Sequence, residues 1–339
     1  GVTFDGLERG DGYSADRLGL IMPTSLCSGQ IARKIADHLN AAGVGGGHLS
    51  RFVALPHTEG CGSAGGANEG IVTRTVLGHL TNPLVAVALL LEHGCEKTHN
   101  DYYRLTLQDL GVDPLRFGWA SVQADGGIDS VTRKATEWAA AASVSLPKLQ
   151  SAPAELRYLC MGVSSLGPIA DDAAAALARL VGTMVGAGAT VVVPETATFL
   201  TQPAFCRLLL DNQSVCPTLA YGQSAAIPGF HVMETPTDHW VETLTGLVAT
   251  GTQVLLAHIT GHPAVGHRMV PLLQVTGDTA TARRYGVDLD LILEGQSEPW
   301  GDDLLNLVVR VASRTYVPKL FGQGNTDFQL TRGPLGVST

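Results

Sequence analysis

The chain has 339 residues, of which 45% are apolar and 16% are charged, so it can bury a core as one large domain or two ordinary ones. Its net charge of -9 opposes nucleic-acid binding, and no run of Lys or Arg would follow a phosphate backbone. The apolar run 83–91 is too short to cross a membrane, which takes about 20 residues. We therefore expect a cytoplasmic protein with neither a nucleic-acid nor a membrane partner, whose six cysteines are reduced thiols.

Strand-like and helix-like segments alternate along the first half of the chain. Residues 18–22, 52–55, 85–91 and 117–122 are apolar runs typical of strands covered on both faces. After the first run, Ile31, Ile35 and Leu39 recur every fourth residue, which predicts a helix with Ser28 as its cap and Gly43 as its stop. The pattern predicts a doubly wound unit.

A second series follows a Pro- and Ala-containing stretch at 146–156. It has predicted strands at 159–163, 190–193 and 253–259 and an Ala-rich helix at 171–186. We therefore predict an α/β fold, a variant Rossmann-like doubly wound and mainly parallel sheet built from two βαβ series. The expected domains are 1–148, a first Rossmann-like lobe with the Cys, His and Glu motifs, and 149–339, a second α/β lobe that completes the site.

Side chains suited to metal binding follow three of the predicted strands. They lie in the segments 25–28, 56–62 and 92–101, and the candidate ligands are Cys27, His57, Cys61, Cys95 and Glu96. Because loops at one edge of a parallel sheet lie close together, we expect these groups to share one crevice. Thiolate and imidazole suit iron or zinc, whereas carboxylates suit magnesium, manganese or calcium, so the donors leave the metal open.

Residues for proton transfer and substrate binding surround these ligands. Lys97 and His99 can act as base or acid, as can His57 and Glu96 within the ligand set. The loop 60–65 matches Gly-x-Gly-x-x-Gly but lacks the acidic residue expected about 20 positions later, so it favours a carboxylate site over a dinucleotide site. The predicted substrate-binding residues are Ser25, Gly60, Gly62, Thr260 and His262.

Three of these motifs carry a family resemblance. At Ser25-Leu26-Cys27, at His57 with Gly60-Cys61-Gly62, and at Gly94-Cys95-Glu96, the chain resembles the altronate and galactarate dehydratase family, which includes the large subunit of a sulfolactate sulfo-lyase. The resemblance implies a metal-assisted hydro-lyase that eliminates water from a small polyhydroxylated sugar acid to give a 2-keto-3-deoxy product. It also implies a divalent metal, foremost iron(II), with manganese or magnesium as alternatives.

Departures from the family pattern keep two alternatives open. The stretch 161–165 replaces a Gly-Gly-Ser-Asp loop, a Glu-Lys-Ser stretch is missing between Glu195 and Phe230, and His262 stands where an arginine is usual. One alternative is a carbon–sulfur lyase of the same family, and the other is a non-catalytic subunit that binds an acid. The expected partners are a small anionic hydroxy acid, a small β-rich N-terminal domain or subunit, and a second copy in a homodimer.

Overall fold

The computed structural model describes residues 1–10, 12–61, 67–210 and 215–331. Its strands, in chain order, are β1 (Thr3–Arg9), β2 (Gly12–Ser14), β3 (Leu18–Pro23), β4 (Arg51–Ala54), β5 (Val85–Glu92), β6 (Phe117–Ser121), β7 (Ser151–Glu155), β8 (Cys160–Leu166), β9 (Thr190–Pro194), β10 (Gly229–Met233), β11 (Val254–Ile259), β12 (Gly266–His267), β13 (Leu272–Thr276), β14 (Leu291–Ile292) and β15 (Thr326–Asp327).

The α-helices lie between these strands. They are α1 (Leu26–Ala41), α2 (Ala67–Leu80), α3 (Asn100–Asp109), α4 (Ile128–Val144), α5 (Asp171–Gly186), α6 (Pro203–Leu210), α7 (Trp240–Ala249), α8 (Thr279–Tyr285), α9 (Trp300–Ala312) and α10 (Lys319–Gly322). Across the described residues, no helix has both the length and the apolar character that a membrane crossing would need.

The chain divides into two compact units. Residues 17–150 and 328–331 form the first, which we call the thiol unit, and residues 1–16 and 151–327 form the second unit. Residues 1–16, which the sequence analysis places in the first lobe, therefore belong with the second unit, because β1 pairs with β7 from Thr3↔Glu155 to Leu7↔Ser151.

The thiol unit is built on a four-stranded parallel sheet in the order β4-β3-β5-β6. Every residue of β3 is buried, as expected for a strand covered on both faces. On one face the apolar stripe of α1, formed by Ala32, Ile35, Ala36 and Leu39, packs with α4 against the sheet. Counted along the unit, the strand order is 2-1-3-4, so the winding direction reverses between β3 and β5.

The helix α1 begins earlier than the sequence indicates. It starts at Leu26, and Ser25 rather than Ser28 occupies the N-cap position. The Ser28 hydroxyl donates instead to the Ser25 carbonyl within the first turn, at 3.1 Å. Cys27 is thereby placed on the first turn of the helix and is exposed.

The two ends of the segment 17–150 are hydrogen-bonded within the thiol unit. The Arg17 guanidinium donates to the Pro147 carbonyl at 2.8 Å, and the Leu149 amide donates to the Gly47 carbonyl at 2.7 Å. Phe328 is fully buried in the same unit, with its ring centroid 6.2 Å from that of His57.

The second unit holds a six-stranded parallel sheet in the order β10-β9-β8-β11-β13-β14. When only the strands of this sheet are numbered along the chain, the order is 3-2-1-4-5-6, which is that of a doubly wound dinucleotide-binding fold. A three-stranded antiparallel sheet, β2-β1-β7, and the pair β12-β15 complete the unit. The predicted Rossmann-like α/β class is confirmed, with one parallel sheet in each unit.

Candidate metal centre

The candidate site lies where three turns leave the carboxyl ends of neighbouring strands in the thiol unit. The turn after β3 leads to Cys27, the loop after β4 leads to Cys61, and the turn after β5 carries Cys95. Ligands of open α/β sheets bind at this edge, at the point where the winding reverses. Here that point lies between β3 and β5, so the turns bearing Cys27 and Cys95 flank it.

Three sulfur atoms converge at this point. The Sγ atoms of Cys27, Cys61 and Cys95 all lie within 4.8 Å of one another, and all three residues are exposed. The Sγ atoms of Cys61 and Cys95 lie 3.9 Å apart. Two thiolates bound to one tetrahedral ion at the usual metal–sulfur distance are about 3.8 Å apart. The thiols therefore fit a single soft metal ion such as iron or zinc.

Backbone hydrogen bonds hold the three turns together. The Leu26 amide donates to the Glu59 carbonyl at 2.6 Å, which joins the start of α1 to the loop after β4. The Lys97 amide donates to the Cys61 carbonyl at 2.7 Å, which joins that loop to the turn after β5. The main chain therefore places the thiols side by side.

Glu96 ties the turn after β3 to the turn after β5. Its Oε1 accepts from the Ser25 hydroxyl at 2.6 Å, from the His93 amide at 2.6 Å and from the Thr24 hydroxyl at 3.3 Å, and its Oε2 accepts from the Gly94 amide at 2.7 Å. Burial alone would raise the pKa of this carboxyl, but the hydrogen bonds outweigh it and hold the pKa below its usual value. Both oxygens of the anion are thus engaged by the protein itself.

His57 is buried in the loop that leads from β4 to Cys61, and both of its ring nitrogens are engaged. Nε2 lies 3.1 Å from the Pro23 carbonyl, and Nδ1 accepts from the Glu59 amide at 3.1 Å. Burial lowers the pKa of this imidazole to about 4, so the ring is neutral at pH 7. In this arrangement the ring braces the end of β3 and the loop after β4, and the predicted roles as metal ligand and base would require it to break these bonds.

The electrostatic setting of the thiols favours a bound cation. Partial desolvation raises the pKa of the Cys95 thiol, and the neighbouring Cys61, Glu96 and Cys27 raise it further. Crowded thiols of this kind repel one another when they ionise, and a metal ion removes that repulsion. The donor set therefore fits a cation that binds three thiolates.

Comparison with known families assigns the chain. Residues 8–144 match the second domain of D-galactarate dehydratase/altronate hydrolase, and residues 210–333 match the C-terminal domain of D-galactarate/altronate dehydratase. Together the two matches cover well over half of the sequence. The chain belongs to this galactarate/altronate dehydratase family. The first match contains all three thiols.

Other comparisons add no argument about fold or function. No curated protein matches the chain. Among solved structures, UDP-GlcNAc 2-epimerase from Neisseria meningitidis bound to UDP-GlcNAc aligns with 91% of this chain and 97% of its own, at 8% identity and a TM-score of 0.28. An acetyl-CoA synthase/carbon monoxide dehydrogenase with NiZn[Fe4S4] and NiNi[Fe4S4] clusters aligns with 89% of this chain and 57% of its own, at 9% identity and a TM-score of 0.25.

In this family member, the predicted proton-transfer residues Lys97 and His99 are both exposed. His99 occupies the N-cap position of α3 without capping it through its side chain. It lines a polar cleft of about 220 Å³ at the ends of β5 and β6. The other residues that line this cleft are Glu92, Asn100, Asp101, Arg104, Trp119, Ala120, Ser121, Ala124, Asp125 and Lys134.

The predicted substrate-binding residues fall in both units of this dehydratase-family chain. Ser25 is fully buried and bound to Glu96, Gly60 is partly exposed with open space beside its Cα, and Gly62 lies outside the described residues. In the second unit, the Thr260 hydroxyl donates to the Pro168 carbonyl at 2.7 Å, and the exposed His262 directs Nδ1 toward the Pro263 carbonyl at 3.0 Å. Their role in substrate binding stays a prediction.

Two residues near the thiols are absent from the sequence-predicted set. His93 has its Nδ1 at 3.6 Å from the Cys95 sulfur and at 3.4 Å from the Gln123 amide nitrogen. Gln123 packs against Gly94, where φ is +115° and an added Cβ would lie 2.9 Å from the Gln123 side chain. The signal for His93 was its position directly after β5, two residues before Cys95. Gln123 lies just after β6, and its residue type did not mark it as a candidate ligand or proton carrier.

Proposed function

We propose that this chain is the catalytic region of a metal-assisted sugar-acid dehydratase. The observation that carries the proposal is the cluster of three exposed thiols inside the segment that matches the dehydratase family. The reaction would remove a proton next to a carboxylate and expel the neighbouring hydroxyl as water, which gives a 2-keto-3-deoxy acid. Galactarate and altronate are the first substrates to test.

The proposed metal ligands are Cys27, Cys61 and Cys95. Three thiolates favour iron(II) or zinc over manganese or magnesium, which prefer oxygen donors, and we propose iron(II). When bound, the metal supplies positive charge that stabilises the negative charge developing on the substrate carboxylate as the proton leaves. We leave Glu96 and His57 out of the ligand set because their polar atoms are already hydrogen-bonded.

The protein's own groups would divide the remaining work. Glu96 holds Ser25 and the turn after β5 in place, and His57 braces the end of β3 and the loop after β4. Lys97 and His99 are the candidate base and acid, because they are exposed and lie two and four residues beyond Cys95. Loss of one such group typically slows the chemical step by about 100-fold to 10000-fold.

The test is anaerobic purification with metal analysis, followed by a screen of sugar acids for 2-keto product. We expect close to one iron or zinc per chain and product formation from at least one acid. Cys95→Ser should lose both metal and activity, whereas the matched Cys206→Ser, at a half-buried thiol bonded to the Leu200 carbonyl, should keep both. Metal that stays at trace level with every divalent ion supplied would refute the metal role, and sulfite released from sulfolactate would replace the dehydratase by a carbon–sulfur lyase.

A further inference from the structure

We infer that His93 is the fourth, exchangeable ligand of the metal held by the three thiols. The inference rests on the proposed metal centre and names a ligand on this chain that completes it. Three thiolates leave one position of a tetrahedral ion open, and a histidine is the protein ligand most often found beside cysteines. His93 is half-buried on the same turn as Cys95.

The distances around Cys95 match the edges of a tetrahedral site. A sulfur and a nitrogen bound to one tetrahedral ion at usual bond lengths lie about 3.5 Å apart, and two sulfurs lie about 3.8 Å apart. The structure has 3.6 Å between Cys95 Sγ and His93 Nδ1, and 3.9 Å between the Sγ atoms of Cys61 and Cys95. Two edges of a Cys3His tetrahedron are therefore already close to their final length.

The Gln123 contact prepares the correct nitrogen for binding. When the side-chain amide of Gln123 donates to Nδ1 of a neutral His93 ring, the proton of that ring resides on Nε2, and Nδ1 presents its lone pair. A metal needs that lone pair. The backbone of His93 is fixed as well. Its amide donates to Glu96 at 2.6 Å, and its carbonyl accepts from the backbone amide of Gln123 at 3.0 Å.

The ring lies short of the position that metal binding requires. The group of atoms within 4.8 Å of one another contains the three sulfurs but not a nitrogen of His93, so the ring must move toward Cys27, toward Cys61 or toward both to bind. In the structure it rests against Gln123 instead, at 3.4 Å. A ligand with two such positions can close the site at rest and yield the fourth position to the substrate, which reconciles a closed Cys3His set with the open position that catalysis needs.

Cobalt(II) tests the assignment without any activity assay, because its visible bands report the number and kind of ligands. We expect His93→Gln to weaken cobalt binding by about 100-fold or more and to shift the ligand-field bands. Removing a group that only supports a metal ligand already costs about 10-fold to 100-fold in metal affinity, and removing a ligand should cost at least as much. The matched control is His38→Gln, at an exposed histidine in the last turn of α1, which should bind like the parent protein. His93→Cys should restore tight binding and add a fourth thiolate to the charge-transfer absorption.

The outcomes separate this inference from the proposed function. If His93→Gln keeps the parent affinity and bands while Cys95→Ser loses them, the three-thiol centre stands and His93 is not a ligand. If the parent protein binds no cobalt, both ideas fail together. Should His93→Gln not fold, the His93→Cys variant decides, because unchanged charge-transfer intensity would overturn the assignment.

Discussion

Replacing Glu96 with glutamine tests whether this carboxylate holds the metal-binding turns together. The change keeps the size and shape of the side chain but removes the charge and turns one acceptor oxygen into a donor. Glu96 is only 6% exposed, so water has little access to its carboxylate. The perturbation is therefore confined to the hydrogen bonds that order the turn after β5 and join it to the turn after β3.

The expected loss is about 2 kcal/mol in the free energy of unfolding of the thiol unit. Three donors reach Oε1, so the glutamine oxygen should take that place, and its amide group then faces the Gly94 amide at the former Oε2 position. Hydrogen bonds to a charged acceptor are about 1 kcal/mol stronger than neutral ones. The weakened bonds from Ser25 and His93 together give the figure, because Gly94 is exposed and its amide can bond to water instead.

Urea unfolding and amide hydrogen exchange of the segment 92–100 measure the effect. We expect a lower unfolding midpoint and faster exchange at Gly94 and Lys97 in Glu96→Gln. Glu137→Gln, at an exposed position on α4, should match the parent protein. If Glu96→Gln loses less than about 1 kcal/mol, and the segment exchanges as slowly as in the parent, Glu96 does not hold the turns in place and the reasoning from its hydrogen bonds is wrong.

Three further predictions follow from neighbouring features. Gly94→Ala should destabilise the thiol unit more than Gly111→Ala in thermal unfolding, because both have positive φ (+115° and +72°) but only Gly94 faces a side chain; equal losses would contradict this. Burial lowers the pKa of His79 to about 4. Between pH 6.5 and 4 this histidine therefore binds a proton in the unfolded chain but stays neutral in the folded chain. His79 alone should therefore account for up to about 3 kcal/mol of the stability lost from pH 6.5 to 4, so the loss should be smaller in His79→Gln when urea titrations are compared; an unchanged loss would count against this. Diamide, a two-electron oxidant, should link Cys61 to Cys95 in metal-free protein, as seen by peptide mass mapping, since their sulfurs lie 3.9 Å apart; a disulfide to a cysteine outside the three-thiol cluster would show that the turns rearrange.

The sequence predicted the fold well because the spacing of apolar residues follows which faces of a strand or helix are buried. In both units the strands and helices are buried in this regular way. The predicted helix 171–186 coincides with α5, and the predicted strands 85–91 and 190–193 differ from β5 and β9 by one residue. The cap at Ser28 was wrong because a helix in its first turn keeps its 3.6-residue period, so the pattern cannot mark where it begins. The pairing of residues 3–7 with 151–155 escaped prediction, since antiparallel partners far apart in the chain leave no local signal.

The site was predictable in part for a related reason. Residues just past strand ends converge at one sheet edge, which was enough to bring Cys27, Cys61 and Cys95 together. Hydrogen bonding decides the rest, and it depends on backbone groups that the sequence does not reveal. The backbone amides of His93 and Gly94 donate hydrogen bonds to Glu96, and the backbone amide of Glu59 donates one to His57.

The hydrogen bond between Arg17 and Pro147 has a consequence for how the molecule assembles. Pairing Thr3 with Glu155 in a disordered chain would mean closing a loop of about 150 residues, at a substantial entropic cost. Once the inserted segment has folded, its entry and exit are already tethered at 2.8 Å, and the strands outside it need only a short search. Early folding of the inserted segment 17–150 would thus bring the strands β1 and β7 within reach of each other. Breaking the hydrogen bond between Arg17 and Pro147 should therefore slow refolding of the second unit more than it lowers the stability of that unit.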